Sequence, residues 1–509
     1  MPIPFLMMKA HFKTGNQYTN DTNIQSNNQS VLVIEPIHMS LIRHSHQTLT
    51  EQLVQRFADR IRQRLLPAGA KLPSVRECAQ MHGVSPYTVV AAYDQLLALG
   101  LVESKRQRGF YVRGHDATPA QPRQQAPHPF RPMASLDATT LIKGMLHEPG
   151  HRPMPGLGTL PPDWIDTAPL AAALRKVTQG SNLQDLALHY GEPRGDRRFR
   201  EALSLKLAEF GLLVNADQLL TTVGATHGLD IVSRTLLQPG DAVLVDDPGW
   251  TVEFARLAQL GMQILPVPRT PAGPDLDVMA DLIRRHKPKL YVTVSVLHNP
   301  TSTSLSPGHA HQVLKLAEAN DLYILEDDVY AHLAPPYATR LSVLDSLKRT
   351  VYVGSFSKIL APGWRAGYIA APADLVERLI NTKLLTSLTT PAMIEQAMAV
   401  YLEQGHLRRH SERVQLRLAA ARQRCVTLAE QAGCTFLTPP QGLFGWIDVG
   451  LDTERLALPL LDAGWLIAPG ALFHGQRRPT TSMRINYACA QDAKFWRALS
   501  ALRQREGLT

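Results

Sequence analysis

The stretch HDATPAQPRQQAPHPFRP, from His115 to Pro132, constrains this chain more than any other. Its richness in proline and glutamine marks an extended linker, and a chain interrupted there must fold as separate parts. A second polar stretch, GNQYTNDTNIQSNNQS, lies within the first 45 residues and carries no periodic apolar face. The expected divisions are a flexible extension over residues 1–45, a compact segment over 46–114, a linker over 115–155 and a large segment over 156–509. The 509 residues, 44% of them apolar, supply material for two or three domains, and no internal repeat is visible.

The compact segment holds most of the chain's excess charge. From Ser40 to His115 there are 11 Lys+Arg and 5 Asp+Glu, so 11 − 5 = +6 of the overall +9. Such a concentration suits an anionic partner. Leu53, Phe57, Ile61 and Leu65 recur every four residues in LTEQLVQRFADRIRQRLL, which predicts an amphipathic helix with Thr50 as a cap. SVRE, Ser74 to Glu77, is a capping box that opens a second helix ending at Gly83. Ser85 caps a third, with Pro86 at its first position and a stop at Gly100. Two short capped helices joined by a tight turn form a helix-turn-helix. LVESKRQRGFYV then reads as two short strands around a basic tip, which is a wing.

LPSVR, VSPYTVVAAYDQLLALGLV and RGFYV together resemble the winged helix-turn-helix of the GntR family, over about 65 residues. The resemblance implies a double-stranded DNA operator as partner. Contacts to phosphate and base would come from Arg76, from Ser85, Tyr87 and Thr88 at the start of the recognition helix, and from Arg108 and Gly109 in the wing. The N-terminal end of such a helix enters the major groove, and basic side chains neutralise phosphates. Pro86 and Val90 stand where many relatives offer an arginine, which leaves the base readout open.

The large segment alternates β-rich runs (AVLVDDP, LYVTVSVLHNP, LYILEDDVY, TVYVGSFSK) with helical stretches. That is the pattern of an α/β fold with a mostly parallel sheet. Such sheets bind ligands beyond the carboxyl ends of their strands, and the unusual residues cluster there. Lys358, in SFSKILAPGWRAG, follows a strand end; a lysine that condenses with a carbonyl must lose its proton, which a cationic, partly buried site favours. Ser355 and Arg365 flank it with a hydroxyl and a fixed charge suited to a phosphate. A pyridine ring used as an electron sink needs a carboxylate at its nitrogen, donors at its hydroxyl and a flat partner on its face. Asp327 and Tyr330 in EDDVY, Asn299 in HNPTS and Trp250 in DDPGW supply these. Gly224, Ala225 and Thr226 lie where a helix begins, and free amides there suit a phosphate. These are the parts of a pyridoxal 5'-phosphate site.

Across roughly 350 residues the large segment resembles a fold-type I aminotransferase with a smaller C-terminal α+β subdomain. By that resemblance Lys358 carries the cofactor, Asp327 pairs with the ring nitrogen, Tyr330 and Asn299 bond the ring hydroxyl, and Trp250 stacks. The same resemblance gives Arg484 the carboxylate of a substrate, and gives Tyr190, in HYGEPRGD, the phosphate of a partner subunit, which implies a homodimer. A GntR-type winged helix joined to an aminotransferase-like domain resembles the MocR subgroup of that family. The resemblance implies a transcriptional regulator whose enzyme-like domain senses an amino-acid-like or amine effector, or the cofactor itself, by a shift between conformations. A working aminotransferase with a DNA-binding appendage is the alternative.

Cys78, Cys425, Cys434 and Cys489 lack metal-ligand or CxxC spacing and read as ordinary thiols, so no metal is expected. No apolar run reaches the roughly 18 residues of a membrane span, and the first residues lack the order of a secretory signal, which makes the cytoplasm the expected compartment.

Overall fold

The computed structural model describes residues 48–62, 66, 69–105, 109–113, 154–180 and 182–505. They fall into two units that divide between Phe130 and Arg131.

In the N-terminal unit three helices pack around one core: α1 (Leu49–Arg62), α2 (Val75–His82) and α3 (Pro86–Ala98). Leu53, Phe57, Cys78, Val89, Tyr93 and Leu96 are buried together. The Tyr93 ring lies 5.7 Å from that of Phe57 and 4.9 Å from that of Phe110, and its hydroxyl donates to Pro73 O at 2.9 Å. That bond satisfies the one polar atom of a buried aromatic, as a buried tyrosine requires. Ile61 packs at the margin, while Leu65 lies outside the described residues. The cap of α1 is Thr48 and not Thr50. Thr48 Oγ1 accepts from Glu51 N at 3.2 Å, and Glu51 accepts from Thr48 N at 2.8 Å. The reciprocal box needs an acid three residues on, which Thr48 has and Thr50 lacks.

Ser74 and Glu77 form the expected capping box on α2, and Gly83 closes that helix at φ +61°. Ser85 Oγ accepts from Thr88 N at 3.1 Å at the start of α3. This helix ends at Ala98, short of Gly100, because Leu99 already makes the cap. Strands β1 (Val102–Lys105) and β2 (Gly109–Val112) pair antiparallel, with Val102 opposite Val112. The tip between them, including Arg108, lies outside the described residues.

The larger unit is built on one sheet of β3 (Leu219–Val223), β4 (Ala242–Asp247), β5 (Gln263–Thr270), β6 (Gly273–Pro274), β7 (Leu290–Thr293), β8 (Tyr323–Asp327), β9 (Thr350–Ser355) and β10 (Ala366–Ala370). Its order is β3-β10-β9-β8-β7-β4-β5-β6. The pairs from β9 through β8, β7 and β4 to β5 are parallel, and β10 runs antiparallel to both β9 and β3. So β3, β4, β7, β8 and β9 all end at the same edge, where β10 begins. The run LYVTVSVLHNP is strand only to Thr293. Helices cover both faces of the sheet, which explains why its strands are apolar on both sides.

A second sheet, ordered β11-β12-β14-β13, is antiparallel: β11 (Thr435–Phe436), β12 (Phe444–Asp448), β13 (Ala468–Pro469) and β14 (Ser482–Asn486). With the helices His406–Gln431, Thr453–Asp462 and Ala493–Arg505 it makes the smaller α+β portion. Among the described residues no helix is long and apolar enough to cross a membrane, and no group of His, Cys, Asp or Glu has the arrangement of a metal site.

Candidate cofactor site and nucleic-acid interface

The shared edge of the large sheet gathers most of the predicted residues, since each follows the end of a strand pointing there. Lys358 sits in the turn after β9, where Nζ donates to Gly158 O at 3.0 Å. Burial, with Arg484 and Arg365 nearby, lowers its amine to about 8, while Asp327 acts the other way. A fraction of Lys358 is therefore neutral at physiological pH, as a nucleophilic amine must be.

Asp327 ends β8 and is buried, and its Oδ1 has no hydrogen-bond partner. Burial, Glu253 and Asp328 push its carboxyl up to about 8. A buried carboxylate oxygen without a partner is costly unless a donor is supplied from elsewhere. Trp250 stands at the start of the helix Thr251–Gln259 and lines one cleft with Asp327, Glu253 and His298. Glu253, one turn beyond Trp250, escaped the sequence reading; it is buried and accepts from Arg256 Nε at 3.0 Å.

Asn299 and Tyr330 are both buried, and Arg484 Nη1 donates to Asn299 Oδ1 at 3.0 Å. Burial pushes the Tyr330 phenol up, with Arg484 opposing. The loop carrying Asn299 rests on a buried network centred on Asp246, which accepts from Tyr291 at 2.6 Å, Thr293 at 2.8 Å and Arg269 at 2.9 Å. Burial opposes the ionised form of Asp246, but Arg269 and His298 outweigh it and hold the carboxyl well below its usual range. His298 is lowered to about 4, first by burial and then by Arg269.

At the other end, Gly224 precedes the helix Ala225–Leu236, so the backbone amides at Ala225 and Thr226 begin it. Gly224 has φ +76°, and a Cβ there would lie 2.5 Å from Arg365 Nη2. The positive φ calls for glycine, and the absence of a side chain lets the Arg365 tip approach. Arg365 donates to Val223 O at 3.2 Å and to Ser357 Oγ at 3.4 Å. Ser355 is buried and directs its hydroxyl to Ala366 O at 3.1 Å and Ser357 Oγ at 3.0 Å, so Ser357 is the hydroxyl that reaches the guanidinium. His227 also belongs here: Nδ1 accepts from Val223 N at 3.1 Å, and burial, Lys383 and Arg365 lower its pKa. The S-x-S-K spacing and a histidine three residues after the glycine were the available signals for these two.

Arg484, on β14, is buried; Nη1 donates to Asn299 Oδ1 at 3.0 Å and Nη2 to Gly156 O at 2.7 Å. Its Nε has no partner, and burial lowers the guanidinium to about 10. The guanidinium lies over Phe444 at 4.3 Å and near Phe473 at 5.1 Å. Tyr190 stands apart from this cluster, its side chain 84% exposed.

In the N-terminal unit Ser85, Tyr87 and Thr88 stand at the start of α3 and Arg76 in the first turn of α2. Tyr87 is 82% exposed, Arg76 and Ser85 are exposed, and Thr88 is half-buried. Ser85 and Thr88 pair their hydroxyls at 2.8 Å, which leaves Tyr87 and Arg76 as the projecting groups. Gly109 opens β2 at φ +99°.

Residues 158–502 match the family of aminotransferase class I and II, and residues 49–112 match the gntR family of bacterial regulatory proteins. The chain belongs to the aminotransferase class I and II family. It is a GntR-type regulator fused to an aminotransferase-like domain, the MocR-type arrangement. It is similar to the uncharacterized HTH-type transcriptional regulator YisV of Bacillus subtilis, 27% identical over 88% of this chain and 94% of that protein. With the HTH-type transcriptional regulator TauR of Rhodobacter capsulatus it shares 28% identity over 81% of this chain and 86% of the relative. Its fold is that of Pyrococcus horikoshii kynurenine aminotransferase, solved with PMP, at a TM-score of 0.66 and 24% identity, covering 74% of this chain and 96% of that one.

Family membership brings pyridoxal 5'-phosphate as cofactor, and the residues fit it. The unpartnered Asp327 oxygen lacks a donor of the kind a pyridinium supplies, and the Gly224 turn, beside Arg365 and at the start of a helix, brings together amides and positive charge of the kind a phosphate needs.

Proposed function

We propose that this protein is a DNA-binding transcriptional regulator whose aminotransferase-fold unit senses an amino compound through pyridoxal 5'-phosphate. The observation that carries the reading is the buried, unpartnered Asp327 oxygen, close enough to the lowered Lys358 amine for the two charges to interact, in a chain that also carries a winged helix. The bound cofactor supplies an aldehyde that condenses with amines and a ring that withdraws electrons. The protein's own groups take defined parts. Asp327 holds a proton at the ring nitrogen, Tyr330 and Asn299 hold the ring hydroxyl, Trp250 covers the ring face, and Gly224, Ala225, Thr226, Ser355, Ser357 and Arg365 hold the phosphate. Lys358 anchors the aldehyde carbon, and Arg484 receives a carboxylate.

The exposed Tyr190 supports a homodimer in which this ring completes the partner's phosphate site. On the DNA side Arg76, Tyr87 and the start of α3 meet phosphates and the major groove, with Ser85 and Thr88 fixing that helix end. The protein acts in the cytoplasm, with the DNA it reads. Driving such a switch from 1:99 to 99:1 takes about 5.5 kcal/mol of differential binding, so a weak effector gives graded control.

The test is binding to the DNA upstream of its own coding sequence, at fixed salt, for cofactor-free protein, with pyridoxal 5'-phosphate, and with cofactor plus a panel of amines. Binding that changes with one of them establishes the sensor; specific binding indifferent to all of them overturns it. The second reading, a working aminotransferase, is favoured by the set of residues suited to the cofactor and by the unpartnered Nε of Arg484. Turnover of an amino donor with a keto acid well above background would establish it.

A further inference from the structure

Five successive backbone carbonyls, from Pro155 to Thr159, are all tied down, and two of them are tied by the groups a ligand would claim. Pro155 O accepts from Asn486 N at 2.8 Å, Leu157 O from Asn486 Nδ2 at 3.1 Å, and Thr159 O from the same amide at 2.8 Å. Gly156 O accepts from Arg484 Nη2 at 2.7 Å and Gly158 O from Lys358 Nζ at 3.0 Å. Gly156 is also the one residue type that fits: a Cβ there would lie 2.5 Å from the backbone carbon of Ile467. In sequence this stretch is the first part of the larger segment after the linker that leads from the winged helix.

We propose that residues 154–160 form a strap which a bound α-amino carboxylate releases, so that the chain leading to the DNA-binding unit reports the state of the cofactor site. This rests on the sensor reading given above and adds how the signal leaves the site and which effector class sends it.

The two ties fail for different chemical reasons. When the Lys358 amine condenses with the cofactor's aldehyde, a C=N bond forms, and the two amine hydrogens leave with the aldehyde oxygen as water. The donor that held Gly158 O is then lost. The cofactor alone breaks this first tie. Arg484 offers its side-on edge, Nε and Nη2, to a carboxylate, since Nη1 is engaged by Asn299; Nε is already without a partner, and Nη2 holds Gly156. A carboxylate bound in the paired geometry that arginine favours takes Nη2 from Gly156 O. An amine without a carboxylate leaves this second tie intact. The Asn486 bonds and the bond from Gly156 N to Leu466 O at 2.8 Å do not depend on the ligand and set how far the strap can move. Asn486 was not singled out by its sequence, yet it lies two residues from Arg484 on the same face of β14.

The experiment is backbone hydrogen exchange across residues 154–160 in the full-length protein, read beside DNA affinity at fixed salt. Four states are compared: cofactor-free, with pyridoxal 5'-phosphate, with N-(5'-phosphopyridoxyl)-L-alanine, and with the ethylamine adduct that lacks the carboxylate. The alanine adduct, which leaves the Lys358 tie in place and takes only the Arg484 tie, should raise exchange at least about tenfold over the cofactor-free protein, as expected for loss of a charge-assisted hydrogen bond, and should shift DNA affinity. The ethylamine adduct, which has no aldehyde and leaves the Lys358 amine free to hold Gly158 O, should resemble the cofactor-free protein. Asn486→Ala should loosen the strap without ligand and move DNA affinity toward that of the alanine adduct. If this variant does not fold, the wild-type comparison stands alone. Exchange that falls or stays unchanged with the alanine adduct overturns the strap, as does a loosened strap with unchanged DNA affinity. Borohydride treatment separates the two readings: cofactor fixed to Lys358 with a silent strap sinks only this inference, and no fixed cofactor sinks the sensor reading beneath it.

Discussion

The two units keep their functional groups in opposite places. In the winged helix the residues proposed to meet DNA are outside the core, with Tyr87 82% exposed, while the buried residues only hold the fold. In the aminotransferase-fold unit Asp327, Tyr330, Asn299 and Arg484 are themselves buried, and burial is the largest cause that shifts the proton affinities of Asp327, Tyr330 and Arg484. A surface site can be altered without touching stability, whereas a buried site couples ligand, proton and fold. Variants that separate these properties test the contrast.

The largest effect should come from Lys358→Ala. The amine proposed to anchor the aldehyde is then gone, so borohydride should fix no cofactor and added amines should no longer change DNA binding. Fluorescence and circular dichroism of the winged helix should be unaltered. An amine response that survives in this variant would remove Lys358 from the signalling route.

Next comes the pH dependence of stability without cofactor. Asp327 rises from 3.8 to about 8 in the folded chain, so between those values the folded state keeps a proton that the unfolded state has released. Its contribution to stability is fully present below about pH 4 and is lost as pH rises through 8, by up to about 1.4 kcal/mol per pH unit. Lys358, lowered from 10.5 to about 8, works in the next window with the opposite sign: stability rises from pH 8 to 10.5 as the unfolded chain alone holds the proton. Urea midpoints for the wild type and Asp327→Asn, followed by the signal of the larger unit, should diverge from pH 4.5 to 7.5, with the wild type losing ground. Parallel curves would mean that Asp327 titrates normally.

A smaller, surface effect is expected from Arg76→Ala. Removing one phosphate contact should weaken DNA binding across sequences and reduce the slope of log affinity against log salt by about 1. Cofactor uptake should not change. An unaltered slope would place Arg76 off the backbone.

How legible each unit was follows from the distance between interacting residues. The Ser74–Glu77 box, the Gly83 stop and the Ser85 cap are made within four residues or between neighbours, so the sequence displays them directly. The residues proposed to hold the cofactor stood out for another reason, since most of them follow the end of an apolar strand run and the parallel pairing brings those ends together. What stayed hidden depends on chain folding back over long separations. Asn486 reaches Leu157, 329 positions away, and Ser357 meets Arg365 only when the turn after β9 closes on the start of β10. Glu253 lies one turn past Trp250, but nothing local announces that Asp327 stands nearby.

The smallest effect tests the one cap that the local pattern misplaced. Periodicity starts at Leu53, and a threonine three residues before it looks like a helix start. Thr50 instead lies inside α1, and Thr48 makes the reciprocal box with Glu51. Capping requires an extended residue whose oxygen reaches the amides of the next turn, and the partner acid must sit three positions on; Leu53 in that position relative to Thr50 has no oxygen to return. Thr48→Ala should therefore cost about 1 kcal/mol in the unfolding of the N-terminal unit. Thr50→Ala should be neutral or slightly stabilising, since alanine is the better residue inside a helix. Equal losses in the two variants would mean that in solution α1 begins at Thr50 and that its first turn is frayed. Because Glu51 is exposed, raising the salt concentration should leave the short-range Thr48 effect in place, which distinguishes a cap from a helix-dipole effect that salt would screen.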